Sequence, residues 1–512
     1  MKDGLEIRGC EFHSQRRFAW IIFIFMAYFA ARLIYFAVTT SPYVPADEVT
    51  MLGKSVVFSK YLLLPENTPQ SYQYGLVTNI PWLYFWLMGK LLHLNVFGLS
   101  SVLFLRLANI PFAFGTIYGV WKLLKLFTDD RLTQVLLVVA MTNTLMFSFL
   151  SSNVSYDNLT NLLAALAIYH LFAFFINRSG TNLATSILCL MAGCLTKATF
   201  IPIALIIFIL LIARESRNIA FLPSALANYS RTPGKVLLSV LILVCLALNI
   251  QLYGVNLMRY KVAEPRMEQV VSLENAMQYR LTARNYIFEQ FKERRISIEQ
   301  AWDMASRIPH TGDRLDTIGL VNNYAMLQQT GFKPMGLLTY SGFWFFETMS
   351  SFFGIKSHMS VPNEGFGLLA LVVSGLGDLP DVSSLGFSCL ALSMLILISA
   401  IAFFMRWRPW DMQWLPTYLV IIAVSYGLLL MYKINYQSYL NSREVGLTVA
   451  GRYLFPVIGP IYVLSSLYLM RLFKGRNLRL ALALLATIVL VFSDFPYFMM
   501  HVTPGWYIWT QG

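Results

Sequence analysis

The chain has 512 residues, 57% of them apolar and 15% aromatic, with only 13% charged and a mean hydropathy of +0.58. That balance excludes a soluble globule, in which about a quarter of residues are charged; several separate apolar runs of about 18 residues or more imply a polytopic helical membrane protein. The net charge of +13 invites a nucleic-acid reading, but the positions of the charges exclude it. Arg16, Arg17, Lys122, Lys125, Arg178, Arg214, Arg406, Arg471 and Arg476 flank apolar runs in alternate short connections, the distribution that keeps loops cytoplasmic. Of five cysteines, four lie in apolar runs and Cys10 precedes the first, with no CxxC spacing. No disulfide framework or zinc site is implied.

In chain order, the expectation is an all-α polytopic protein of about eleven transmembrane helices. Residues 1–17 form a basic cytoplasmic tail. Span 1 (18–39) is too long and lacks the small-residue site of a cleavable signal. The first outer loop, 41–103, carries an interfacial helix at Trp82–Leu94 with aromatics on one face. Span 2 (104–124) and span 3 (132–150) follow, then the outer turn 151–158 and span 4 (159–176). Spans 5 and 6 form a hairpin with its tip at Leu195–Thr199, and the basic segment 214–235 lies inside. Span 7 (236–254) closes an N-terminal module, 18–254. Residues 255–384 form an extracytoplasmic section, helical between spans 7 and 8 where charges repeat at helical spacing over 255–335. Its remainder, 336–384, reads as re-entrant or interfacial, with 366–377 open as a further crossing. Spans 8 (385–405), 9 (413–432), 10 (453–471) and 11 (478–495) make the C-terminal module, 385–512. The N-terminus is then cytoplasmic and the C-terminus outside.

On that topology four features share the outer face: Asp47-Glu48 after span 1, Asp157 between spans 3 and 4, Lys197 between spans 5 and 6, and Arg452 opening span 10. An ionised group beside apolar sequence is costly unless it is paired or lines a wet cavity. A carboxylate takes a proton from an attacking hydroxyl, while Lys and Arg hold a phosphate leaving group. Each residue also has a plainer role. Asp47 and Asp157 suit helix caps, Lys197 can snorkel, and Arg452 can anchor at the interface. The residues alone leave these alternatives open.

The order of motifs resembles the C-type integral-membrane glycosyltransferases, which include the protein O-mannosyltransferases and the lipid A aminoarabinose transferase. The likeness is carried by Asp47-Glu48, Pro81-Trp82-Leu83-Tyr84-Phe85-Trp86-Leu87, Arg106-Leu107-Ala108-Asn109-Ile110-Pro111, Tyr156-Asp157-Asn158-Leu159 and Gly193-Cys194-Leu195-Thr196-Lys197. It covers residues 18–210 well and the rest loosely. Gly451-Arg452-Tyr453 and Ser341-Gly342-Phe343-Trp344 are similar to a further bacterial membrane family on the same plan. Where the family has Lys-Pro-Pro, this chain has Asn79-Ile80-Pro81, so one phosphate contact is missing or replaced. There is no Trp-Trp-Asp motif of the oligosaccharyltransferase kind.

The resemblance implies inverting transfer of a sugar from a polyprenyl-phosphate carrier to a hydroxyl of a cell-envelope glycan or lipid, as in O-antigen modification. The site would face outside from a bacterial inner membrane. Asp47, with Glu48 as its alternative, would be the base, and Asp157, the third catalytic residue, would position the acceptor or assist. Lys197, Arg452 and Tyr453 would hold the donor phosphate, and Tyr74, Trp82 and Tyr84 the acceptor or sugar. The partners are then the lipid-linked donor, the acceptor and membrane lipids, with no nucleic acid. No cofactor is assigned beyond the polyprenyl-phosphate-linked sugar donor, and no metal ligand is assigned; a divalent cation on Asp47, Glu48 and Asp157 fits the carboxylates but has no His cluster behind it. Two rivals remain. A transporter or flippase would show paired broken helices in matching halves, and an O-antigen polymerase or ligase would rest on outer-loop Arg and His.

Overall fold

The computed structural model describes residues 3–45, 47–216, 232–308, 311–331, 333–355, 387–406, 415–444, 448–502 and 504–508. Among them the regular structure is helical, as the long apolar runs require where no water can satisfy a free backbone. The helices that place the site are α1 (Asp3–Thr39), α2 (Glu48–Ser59), α3 (Leu83–Leu92), α4 (Ser101–Lys125), α5 (Arg131–Thr142), α6 (Leu145–Ser151), α7 (Tyr156–Asn177), α8 (Gly180–Thr196) and α9 (Ala198–Glu215). They continue with α10 (Pro233–Tyr260), α11 (Arg280–Lys292), α12 (Thr311–Gln329), α13 (Leu337–Phe353), α14 (Phe387–Arg406), α15 (Leu415–Ser442), α16 (Gly451–Met470) and α17 (Arg476–Met500). Among the described residues eight helices are long and apolar enough to cross a membrane: Phe18–Thr39 of α1, then α4, α7, α9, α10, α15, α16 and α17.

The expected third span is broken. Helices α5 and α6 meet at 61°, where Thr142, Asn143 and Thr144 turn their side chains onto the carbonyls of Val138, Val139 and Ala140, each four residues back. Polar side chains that satisfy freed carbonyls let a helix bend inside an apolar core. The expected hairpin tip is likewise a sharp break at Lys197, whose backbone is extended. Phe200 folds back so closely that a Cβ on Gly193 would lie 2.3 Å from its ring, which is why that position has no side chain.

One large core joins α1, α4, α5, α6, α7, α9, α13, α15, α16 and α17 through residues such as Phe29, Phe36, Phe147, Phe352 and Phe455. The last described residues are fastened to α1 and to the residues that follow it. Arg32, buried, pairs with Asp494 and donates to the Thr142 carbonyl. Beyond α1, Thr40 bridges Tyr507 in antiparallel fashion, and the Ser41 N–H donates to the Trp506 carbonyl at 2.9 Å. At the other end of the bundle Asp130 pairs with Arg479 and Glu215 with Arg178. The expected cytoplasmic connections thus meet their own partners there. By contrast α10 is an apolar helix with only 6% of its core window buried, a surface suited to lipid.

The expected interfacial helix is α3, but it does not lie alone. It packs on α2 with Gly89 at the crossing, where a Cβ would stand 2.8 Å from the Ser55 carbonyl oxygen and the Ser59 nitrogen. Its other ties are Lys90 to the Tyr61 carbonyl and His93 to that of Ser59. Beyond α10, the described residues up to 335 form a largely helical section with a small core of its own, including Ala283, Ile287, Ala301, Ala305 and Val321. Helix α13 begins the stretch expected to be re-entrant, with its last turns buried. The queried crossing at 366–377 lies outside the described residues.

Candidate active site

Adjacent in sequence, Asp47 and Glu48 go separate ways. Glu48, expected as an alternative base, is 1% exposed. Its Oε1 accepts from Arg106 Nε at 2.9 Å and from the Val154 N–H at 2.7 Å, and its Oε2 accepts from Arg106 Nη2 at 2.5 Å. The remaining guanidinium nitrogen of Arg106 donates to the carbonyls of Ala37 (3.0 Å) and Thr40 (2.6 Å). A buried bidentate pair whose remaining valences are also filled joins the end of α1, the start of α2, α4 and the turn before α7. The Glu48 carboxylate is thus buried and paired with Arg106, whereas Asp47 is partly exposed.

Asp47 stands at the N-cap position of α2 but makes no capping hydrogen bond, and its backbone is left-handed, φ 66°. Non-glycine residues adopt that region at a cost. The side chain, 32% exposed, faces Arg280 of α11, which pairs with Asp47 Oδ1, while Arg452 Nη2 stands 3.7 Å from Oδ2. Arg280 also donates to Asp313 of α12 at 3.2 Å. Burial pulls the Arg280 pKa down, but the Asp47 and Asp313 carboxylates outweigh it and leave the group above its ordinary value. The capping role expected as an alternative is absent.

Asp157 is not a cap either. Ser155 caps α7, its hydroxyl accepting from the Asp157 N–H at 3.2 Å. The Asp157 carboxylate instead meets Lys197 Nζ at 2.5 Å. That ammonium lies 4.6 Å from the Tyr156 ring centroid and 5.0 Å from that of Tyr453, a cation held between two aromatic faces. Lys197 is therefore buried and paired rather than snorkelling. Arg452 is 13% exposed and lies 5.3 Å from the Tyr453 ring. Its neighbour Gly451 explains the placement. A Cβ there would stand 2.2 Å from the Phe352 nitrogen, and the Gly451 N–H donates to Ser351 Oγ at 2.7 Å. Close seating on α13 aims the next two side chains at Lys197 and Asp47. The four charged features expected to share a face do converge, from α2, α7, the end of α8 and α16.

The aromatic assignments divide. Tyr74 packs over Gly53 and lines a cavity of about 560 Å³ beside Asp47. Tyr84 is buried with its hydroxyl donating to Asn109 Oδ1 of α4 at 3.2 Å. Trp82, 8% exposed, borders a separate cavity of about 190 Å³ with Asn79 and residues of α10. Asn79, where the resembled family has a lysine, exchanges hydrogen bonds with Asn256, at 3.0 Å through its side chain and 2.9 Å through its carbonyl. It joins the first loop to α10.

Lys54, seven residues beyond Asp47 on α2, was not singled out by the sequence. Its ammonium stands 5.2 Å from the Phe85 ring and borders a cavity of about 370 Å³ with Glu264, Tyr279 and Asn285. Desolvation lowers its pKa to about 8, against the attraction of Glu264 and Asp47. Arg280 and Asp313 were missed as well, because in a section dense in ordinary charges no local pattern marks them. Each carboxylate once considered for a divalent cation faces a protein cation: Asp47 faces Arg280, Glu48 faces Arg106 and Asp157 faces Lys197. Among the described residues no three His, Cys, Asp or Glu side chains form a metal-ligand group.

No protein-family model matches the chain, and no curated protein or solved structure matches it.

Proposed function

We propose that the protein is a C-type membrane glycosyltransferase. It would have about eleven spans, a cytoplasmic N-terminus and a site on the outer face of a bacterial inner membrane. It would move a sugar from polyprenyl phosphate to a hydroxyl of a cell-envelope glycan or lipid, such as O-antigen. The observation that carries this reading is the adjacency of Asp47, partly exposed at a cavity of about 560 Å³, to Arg452, which shares the Tyr453 ring with the buried Lys197. A base beside anion-holding groups suits displacement of a phosphate by a hydroxyl.

In that reaction the acceptor oxygen attacks the anomeric carbon and gives its proton to Asp47. The bond from that carbon to the phosphate oxygen breaks on the opposite side, with inversion. The leaving lipid phosphate takes the electron pair and is held by Lys197 and Arg452, with Tyr453 keeping the two cations in place. Lys197 pairs with Asp157, and Arg452 lies 3.7 Å from Asp47. A phosphate headgroup offers a stronger acceptor for the same charge-assisted bonds and would draw them off, leaving Asp47 Oδ2 toward the acceptor. Asp157 then serves to position Lys197, and Glu48 takes no part in proton transfer.

The test uses purified protein in lipid nanodiscs, radiolabelled polyprenyl-phosphate sugars and a cell-envelope extract as acceptor. Label should move to the acceptor with wild type, and Asp47→Asn should lower the rate by about 10²–10⁴-fold, the usual contribution of a general base. Full activity in Asp47→Asn sinks the mechanism. Label that crosses the bilayer still attached to its carrier, with no transfer, would favour a flippase.

A further inference from the structure

We propose that the cavity beside Asp47 binds an uncharged saccharide chain entering from the aqueous side, so that the acceptor is a neutral glycan. The inference rests on the transferase reading only for the role of Asp47. At about 560 Å³ the cavity falls in the size range of ligand pockets, about 300–1,000 Å³. Its walls come from the loop after α1, from Gln73-Tyr74, and from residues 277–316. None of its lining residues belongs to a candidate membrane span. A lipid acceptor would have to leave the bilayer to reach Asp47 by this route.

The lining matches sugars. Tyr43, 56% exposed, and half-buried Tyr74 offer ring faces, and the exposed amides of Gln73 and Gln278 can both donate to and accept from hydroxyls. Asp313 and Asp316 add carboxylates, which accept from hydroxyls and repel anions. Arg280 is the cation in this lining, and Asp47 and Asp313 already engage it. With Arg452 3.7 Å from Asp47, the carboxylates of Asp47, Asp313 and Asp316 still outnumber the cations Arg280 and Arg452 there, so an acidic glycan would meet an excess of like charge. This selection by charge separates neutral polysaccharides from uronic-acid polymers of the same length.

The test measures binding without donor. Saturation-transfer NMR on the full chain in nanodiscs is run with neutral tri- to hexasaccharides, with oligouronates of equal length, and with lipid A in mixed vesicles as competitor. Neutral chains should take up saturation, and oligouronates should not. Tyr74→Ala should weaken binding at least tenfold. Asp316→Lys, at an exposed position of the lining, should admit oligouronates. Equal or better binding of oligouronates to wild type, no saccharide binding at all, or displacement of the saccharide by lipid A would each overturn the proposal. Donor turnover is scored separately. Saccharide binding that responds to both variants in a protein with no turnover would sink the transferase reading and leave the pocket assignment standing. Transfer to a lipid acceptor with no saccharide binding would do the reverse.

Discussion

The consecutive carboxylates at the start of α2 carry opposite consequences for mutation. Glu48→Gln leaves the Arg106 guanidinium buried without its counter-charge, and breaking such a pair costs about 3–5 kcal/mol. The thermal midpoint in detergent, followed by tryptophan fluorescence, should fall clearly. Asp47→Asn should leave it nearly unchanged, because the site is partly exposed and asparagine tolerates a positive φ better than most residues. Equal midpoints for the two variants would contradict the division of labour. Asp47, Asp157, Lys197 and Arg452 were legible in the sequence because each interrupts or abuts an apolar run, where charge needs a reason. The fate of Glu48 was not legible. It depends on Arg106 and Val154, which are distant along the chain and come together only once α4 and α7 pack. The partner of Tyr84 was not legible for a related reason: a tyrosine on an amphipathic helix shows its spacing but not which neighbour takes its hydroxyl.

At the scale of elements, the α2–α3 pair carries the site. Gly89→Val would place its side chain against the α2 backbone at the crossing. Overpacking of that kind costs about 1–3 kcal/mol and would shift the helix that follows Asp47, so donor turnover should fall together with the thermal midpoint. A fully stable Gly89→Val would show that the crossing is not tight. Lys54 on the same helix gives a pH signature. Its folded pKa of about 8 lies below the ordinary 10.5, so between those values the unfolded chain holds the proton more tightly. The contribution of this group to stability therefore rises across that window as pH increases. Competitive acetylation read by mass spectrometry should show Lys54 becoming reactive with a midpoint near pH 8; a midpoint above pH 10 would refute the desolvated setting. The helical nature of residues 255–335 was legible from their charge spacing. That Arg280 reaches back to Asp47 was not, because solvated arginines and site arginines look alike along a helix.

Across the whole molecule, the charge pattern implies that the site end and the basic end lie on opposite sides of the membrane. Ser152 is fully buried and cannot report this, whereas Ser297 and Thr181 are exposed. In a background without the five natural cysteines, Ser297→Cys should react with an impermeant thiol reagent added outside intact cells, and Thr181→Cys only after lysis. Labelling of both from one side would break the topology on which the proposed reaction depends. The helical, membrane-spanning character was legible because apolar length is a property of the local sequence. The break at Asn143 was less so, because it depends on side chains finding carbonyls within an apolar run.

The pairing of Arg32 with Asp494 also has a meaning in time. The two residues are 462 positions apart (494 − 32), and at about 5–20 residues per second of synthesis the arginine waits roughly 20–90 seconds for its counter-ion. During that interval the first span holds a charge that the membrane tolerates poorly, so the nascent chain is open to surveillance until its last helix arrives. A ribosome stalled before codon 494 would release a chain whose first span is still unsettled. Degradation of such fragments should therefore be slowed by Arg32→Leu, an effect that pulse-chase of a truncated chain can read.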